Sequence, residues 1–203
     1  MIKHILNRRP KKFVADTGIK KRPLVFVDLE FSGLDLGHEV IEIGCLVVDQ
    51  KTWKIKKEWL AKVKPEDLDE ADPNSLNMIG FSKDKWRDAL SLRDAMTNFN
   101  KIAKDGVLVG YNVAWDFMFL EKSFFELGIK PAFHWQIIDV LSMMFYKFYN
   151  KPGVKGFRMK EVESFLNIKH GTWHNPLDDA RATYQMFIKI IKNGRGFQIH
   201  NSY

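Results

Sequence analysis

Three apolar, strand-like runs crowd into the first third of this chain, and the long helical patterns begin only after them. "LVFVDLE" (24–30) and "EVIEIGCLVVD" (39–49) are short, rich in Val and Ile, and read as buried strands. "TWKIKKEWLAKV" (52–63) alternates less cleanly, and it reads as a third strand joined by a short turn near Gln50 and Lys51. The acidic, turn-rich stretch 65–91 is expected as a loop with short helices. "LRDAMTNFNKIAKDG" then has apolar residues at helical spacing and closes on Gly106. "VLVGYN" is a short strand, "AWDFMFLEKSFFELG" a helix ending at Gly128, and "HWQIID" a further strand. Helices over "DVLSMMFYKFY", "RMKEVESFLNI" and "DDARATYQMFIKIIK" complete the chain. A hairpin of strands followed by helix–strand alternation restricts the fold to α/β, three layers (α/β/α) around a central mixed five-stranded sheet.

At 203 residues, with no internal repeat, the chain is expected to form one domain with a full core. A hydrophobic fraction of 45%, with 16 Phe and 6 Trp, excludes a disordered chain. Cys45 is the single cysteine, so no internal disulfide is available and a reducing compartment, the cytoplasm, is expected. No apolar run approaches the roughly 20 residues that span a bilayer, and no secretory signal pattern opens the sequence, so no membrane role is expected.

Charge is unevenly distributed. Residues 1–23 hold eight basic side chains against Asp16 alone, whereas residues 24–203 balance 24 basic groups with 24 acidic ones. A neutral body therefore carries a basic arm. For an arbitrary protein such an arm is a solvated leader; here it is also a candidate handle for a polyanion.

The acids of the body are placed where elements end. Asp28 and Glu30 close the first strand one residue apart, and alternate residues of a strand share a face. Two carboxylates so close repel, and each raises the other's pKa. Asp116 falls on the first turn of a helix entered directly from a strand. Asp178 and Asp179 open the last helix, just after His174 and Pro176. Acids at helix N-termini can serve as caps, and for Asp178 that reading is preferred. A strand end offers Asp28 and Glu30 no such partner. Acids converging from three separated segments suit a hard divalent cation, Mg²⁺ or Mn²⁺, which prefers carboxylate oxygens.

These residues carry a resemblance. Asp28-Leu29-Glu30-Phe31-Ser32-Gly33 with the following "EVIEIG", Asn112-Val113-Ala114-Trp115-Asp116, and the run from His174 to Asp179-Ala180 stand in the order of three motifs. The chain thereby resembles the DnaQ-like exonucleases, the DEDDh group of 3′–5′ exonucleases with an RNase H-like fold, over roughly residues 24–192. A single Asp-x-Glu would carry no weight; the three motifs together do. Phe31-Ser32 stands where many members have two Thr, and Trp115 where Phe is usual, departures that touch substrate preference and no ligand.

The resemblance implies that Asp28, Glu30, Asp116 and Asp179 hold two Mg²⁺ or Mn²⁺ ions, with His174 as general base. The family spacing selects His174 over His170, which reads as a solvated loop residue, and Asp179 over Asp178. The substrate implied is the 3′ end of a single strand of DNA or RNA. Backbone N–H groups around Phe31 and Ser32 pass beside the metals and are expected to meet the terminal nucleotide. Phe31 and Phe117 flank the acids and are candidates to stack on its base, although Phe at helical spacing usually packs the core, as is expected of Phe119, Phe124 and Phe125. Trp115 is expected to pack and fix Asp116. A nucleic-acid-binding module without chemistry is the alternative, disfavoured because no ligand is missing. A polymerase-bound proofreading subunit is a weaker expectation, with only about ten residues beyond Lys192. Homodimerisation is left open.

Overall fold

The computed structural model describes residues 18–193. Its sheet runs in the order β3-β2-β1-β4-β5, with β1 (Leu24–Phe31) at the centre. β2 (Val40–Val48) pairs antiparallel with β1 and with β3 (Ile55–Lys62). β4 (Val107–Gly110) and β5 (Ile137–Asp139) run parallel to β1. The sheet is therefore mixed and five-stranded, and the parallel strands are joined by helical crossovers.

Among the described residues six α-helices surround it: α1 (Pro73–Met78), α2 (Leu92–Ile102), α3 (Ala114–Glu126), α4 (Val140–Phe148), α5 (Met159–Leu166) and α6 (Pro176–Asn193). The two-residue period of β1 divides them between its faces. Val25, Val27 and Leu29 join Met96 and Phe99 of α2 and Leu120 and Phe124 of α3 in one core. Leu24 and Phe26 point the other way, into a core with Met144, Val162, Met186 and Phe187 from α4, α5 and α6. Phe26 meets the rings of Tyr184 and Phe187 edge-on, each at 5.4 Å. A strand buried on both faces needs the unbroken apolar run that opens β1. β3, at the sheet's edge, is exposed over Ile55–Glu58 and carries Lys56 and Lys57 there, which discourages pairing with another chain.

Local signals set the boundaries. Asp49 accepts from the N–H groups of Lys51 and Thr52, both at 2.9 Å, and turns β2 into β3. Ser91 caps α2, accepting from the N–H of Asp94 at 3.1 Å. In the long loop before it, Trp86 is buried and donates from Nε1 to the Ile41 carbonyl at 3.0 Å, which ties the loop to β2. Phe119 and Phe124 lie in the core as expected, but Phe125 is half exposed, since it sits on the opposite side of α3.

Of the basic arm, residues 1–17 lie outside the described residues. Ile19–Lys21 forms a single 3₁₀ turn, and Gln50 Nε2 donates to the carbonyls of Ile19 (2.6 Å) and Arg22 (2.8 Å). The folded body thus begins several residues before β1. Among the described residues no helix is long and apolar enough to cross a membrane.

Candidate metal centre and active site

Asp28 and Glu30 continue the face of β1 that Leu24 and Phe26 begin, the face covered by α6. Gly44 of β2 lies directly opposite Asp28. A Cβ at Gly44 would come 2.2 Å from the backbone of Pro176 and Leu177. Only glycine lets the first turn of α6 approach the sheet this closely, and that turn carries Asp179. As a result, carboxylate oxygens of Asp28, Glu30 and Asp179 all lie within 4.8 Å of one another.

Asp116 enters from the opposite layer. It is buried on the first turn of α3, and its Oδ1 accepts from the Leu29 N–H at 3.0 Å. The α3 N-terminus is set by Asn112, in the left-handed region at φ 60°, whose N–H donates to Asp139 Oδ1 at 2.8 Å. Asp139 also accepts from the Ser142 N–H at 2.9 Å, so one carboxylate caps α4 and fastens the loop that aims Asp116.

Every one of these acids is hard to ionise without a cation. Burial pushes Glu30 up to about 8, and Asp179, Glu42 and Asp116 add to the effect. Burial raises Asp116 to about 7 against the opposing hydrogen bonds, one of them from Leu29. Asp179 rises to about 6, again chiefly by burial, with His170 opposing. Asp28 stands well above its ordinary value, through burial and then the fields of Asp116, Asp179 and Glu30. An all-carboxylate donor set under this much mutual repulsion fits Mg²⁺ or Mn²⁺, whose charge reverses the cost.

His174 stands at the mouth, 44% exposed, with Nδ1 3.9 Å from Glu30 Oε1. Its backbone is left-handed at φ 58°, and its N–H reaches Asp179. His170 is not the solvated residue expected from the sequence. Its side chain is 6% exposed, with Nδ1 2.5 Å from Glu163 Oε1 and Nε2 3.0 Å from Asp179 Oδ1. The ring lies flat on Trp173, 3.8 Å away. The cause is the left-handed Asn167 that ends α5, after which the chain turns back and carries His170 to Glu163. Glu163 and His170 thus brace Asp179 from behind, as outer carboxylate–histidine pairs brace metal ligands. Asp178 does not cap α6: Asn175 Oδ1 accepts from the Leu177 and Asp178 N–H groups, both at 3.2 Å, while Asp178 accepts from the loop N–H of Thr172 at 2.8 Å and pairs with Arg181 at 2.6 Å.

Beside the acids opens a cleft of about 330 Å³, with Asp28 and Asp116 in its wall and Phe31, Leu34, Tyr111, Trp115 and Phe119 around them. Phe31 stacks on Phe119 at 4.0 Å. Two candidates do not reach it. Phe117 turns into the core against Phe133, since one residue along a helix rotates a side chain by about 100°. Ser32 is buried, its N–H donating to the Glu39 carbonyl and its Oγ accepting from the Glu39 N–H, both at 2.9 Å. That N–H is therefore spent on closing the loop. Trp115, expected to pack, is instead half exposed in the cleft wall, and Leu34 is exposed beside it. The helical period puts Trp115, Asp116 and Phe119 on one face, a signal readable in the sequence. Glu42 went unread: it lies opposite Glu30, buried and neutralised by Lys62 Nζ at 2.9 Å.

The RNase T exonuclease family model matches residues 25–187. The chain is 26% identical over 172 residues to a DNA polymerase III PolC-type of Caldanaerobacter subterraneus subsp. tengcongensis, covering 83% of this chain and 11% of that protein. Protein NEN2 of Arabidopsis thaliana is 23% identical over 151 residues, 74% of this chain and 30% of its own length. The chain thus spans about a tenth of the polymerase relative. In fold it is similar to E. coli exonuclease I in complex with a dT13 oligonucleotide (TM-score 0.73, 18% identity, 84% of this chain and 41% of that one). It is similar also to the nuclease domain of 3′hExo, a DEDDh family member, bound to rAMP (TM-score 0.71, 18% identity, 93% and 100%). With the acids, the histidine and the sheet order in place, this chain belongs to the exonuclease family, in its DEDDh group, with an RNase H-like fold.

Proposed function

We propose that the chain is a metal-dependent 3′–5′ exonuclease that releases nucleoside 5′-monophosphates from the 3′ end of single-stranded DNA or RNA. The observation that carries this is the adjacency of the acid cluster and the aromatic cleft, which share Asp28, with Asp116 beside it in the cleft wall. Asp28, Glu30, Asp116 and Asp179 would hold two Mg²⁺ or Mn²⁺ ions. Bound there, the ions supply a water of lowered pKa and neutralise charge on the leaving oxygen. His174, exposed beside Glu30, would take the proton of an attacking water, a task suited to an imidazole near neutral pH. The Leu29 N–H holds Asp116 in place, and the His170–Glu163 pair holds Asp179. Phe31 and Trp115 offer ring faces to the terminal base.

The test is degradation of matched 5′-labelled DNA and RNA oligonucleotides with Mg²⁺ or Mn²⁺. A ladder shortening from the 3′ end is expected, with mononucleotide products. Internal cuts, or loss from the 5′ end, would overturn the reading. The PolC-type relatives favour a second reading, in which the nuclease works beside a polymerase. That reading predicts faster removal of a mismatched than a matched 3′ terminus on duplex DNA.

A further inference from the structure

Residues 140–160 depart from the charge balance of the body. They hold Lys147, Lys151, Lys155, Arg158 and Lys160 and not one acid. Lys151, Lys155, Arg158 and Lys160 are exposed, and among the described residues no carboxylate side chain pairs with Lys151, Lys155 or Arg158. The same segment exposes three aromatic rings. α4 buries Val140, Met144 and Phe148, and its outer face presents Phe145 (50% exposed) and Tyr146 (79%), with Tyr149 (63%) just beyond its end. Core packing explains the first set and leaves the second without a role.

This surface is continuous with the cleft. Phe145 lies 4.9 Å from Tyr149 and 5.2 Å from Phe157. The Phe157 carbonyl accepts from the Tyr111 hydroxyl at 2.6 Å, and Tyr111 lines the cleft beside Asp116. The Tyr111 hydroxyl, through the Phe157 carbonyl, therefore ties the cleft wall to the segment that carries the exposed rings and the cations. Exposed rings between unpaired cations are what a flexible polynucleotide needs: faces for any base, and charge for the backbone.

We infer that residues 140–160 form a single-strand track for the nucleotides preceding the one held in the cleft. Bases stack on Phe145, Tyr146 and Tyr149, while phosphates meet Lys151, Lys155 and Arg158. The inference rests on the cleft being the seat of the terminal nucleotide. It adds that grip depends on substrate length and is nearly indifferent to sequence, because every base has a π-face.

The test uses the full chain and two double variants, Tyr146→Ala with Tyr149→Ala and Lys151→Gln with Lys155→Gln. Binding of a dye-labelled oligonucleotide of about eight residues is measured by anisotropy in EDTA, so that no turnover intervenes. The tyrosine pair should lose about 10–100-fold in affinity, the range of one to two lost stacks. The lysine pair should flatten the log–log salt dependence by about 1.4, at 0.7 per phosphate contact on a single strand. With metal restored, a dinucleotide too short for the track should be cleaved with unchanged kcat/KM. Octamer affinity within twofold of the unmodified chain in both variants would overturn the track, as would equal losses on dinucleotide and octamer. An unmodified chain that binds the octamer but never shortens it would refute the exonuclease reading while leaving the track standing. One that binds no oligonucleotide would refute both.

Discussion

Replacing Glu30 by Gln should stabilise the metal-free protein, and the gain should grow with pH. Burial and the fields of Asp179, Glu42 and Asp116 raise Glu30 from 4.5 to about 8. A carboxyl whose pKa is raised on folding leaves stability intact below its unfolded value and removes it as pH climbs toward the folded one. At pH 7 the unfolded glutamate is ionised while the folded one is held mostly neutral. The gap of 2.5 units from 4.5 costs about 3 kcal/mol at 1.36 kcal/mol per unit. At pH 5 the same gap is half a unit and the cost under about 1 kcal/mol. Gln has the same shape without the charge, so it escapes this cost. For a chain of this size, each kcal/mol moves Tm by about 2–4 °C, which gives roughly 6–12 °C at pH 7 and a few degrees at pH 5. Thermal melts in EDTA from pH 5 to 8 measure the difference. Adding Mn²⁺ should narrow the gap at pH 7, because the wild-type protein gains about 2.7 kcal/mol at a hundredfold excess over Kd and the variant, short one ligand, gains less. A Tm difference that stays constant across the pH range would refute the argument.

The histidines should separate by assay. His174→Ala should lose about 10²–10⁴ in kcat with Mn²⁺ affinity little changed, whereas His170→Ala should weaken calorimetric Mn²⁺ binding by about 10–100-fold through a loosened Asp179. Unchanged Mn²⁺ affinity in His170→Ala would remove its bracing role. Gly44→Ala should lower Tm by several degrees and weaken Mn²⁺ binding, because the new methyl meets helix backbone, which cannot swing aside; a normal melt would show that the approach of α6 is not required. Deleting residues 1–17 removes Lys3, Arg8, Arg9, Lys11 and Lys12 while sparing the turn that Gln50 holds. If about three of these touch a single strand, the salt slope of oligonucleotide binding should fall by about 2 units with saturated turnover unaltered; parallel salt plots would dismiss the handle.

Much of this architecture could be read from periodicity. Strands buried on both faces announce themselves as unbroken apolar runs, and a strand's period of two places Asp28 and Glu30 together without any knowledge of the rest. Asp179 was harder, because its approach depends on an absence, the missing side chain of Gly44 on a strand 135 positions earlier. His170 was illegible for a related reason: a left-handed residue at Asn167 reverses the chain, and no pattern in "NIKHGTW" says where the reversal aims the ring. Phe117 was a different kind of miss. Proximity in sequence is not proximity in space: the helix that turns Asp116 toward the cleft turns Phe117 away and Trp115 and Phe119 in. The charge count misled through averaging. Across residues 24–203 the signs cancel, yet a stretch of 21 residues within them has five cations and no acid. Electrostatic attraction to a polyanion depends on local field, which fades within about 8–10 Å at ordinary salt. Asp139 and Glu161 border that stretch on either side, so the field a strand meets there is set by the exposed Lys151, Lys155 and Arg158, with which no carboxylate side chain pairs among the described residues.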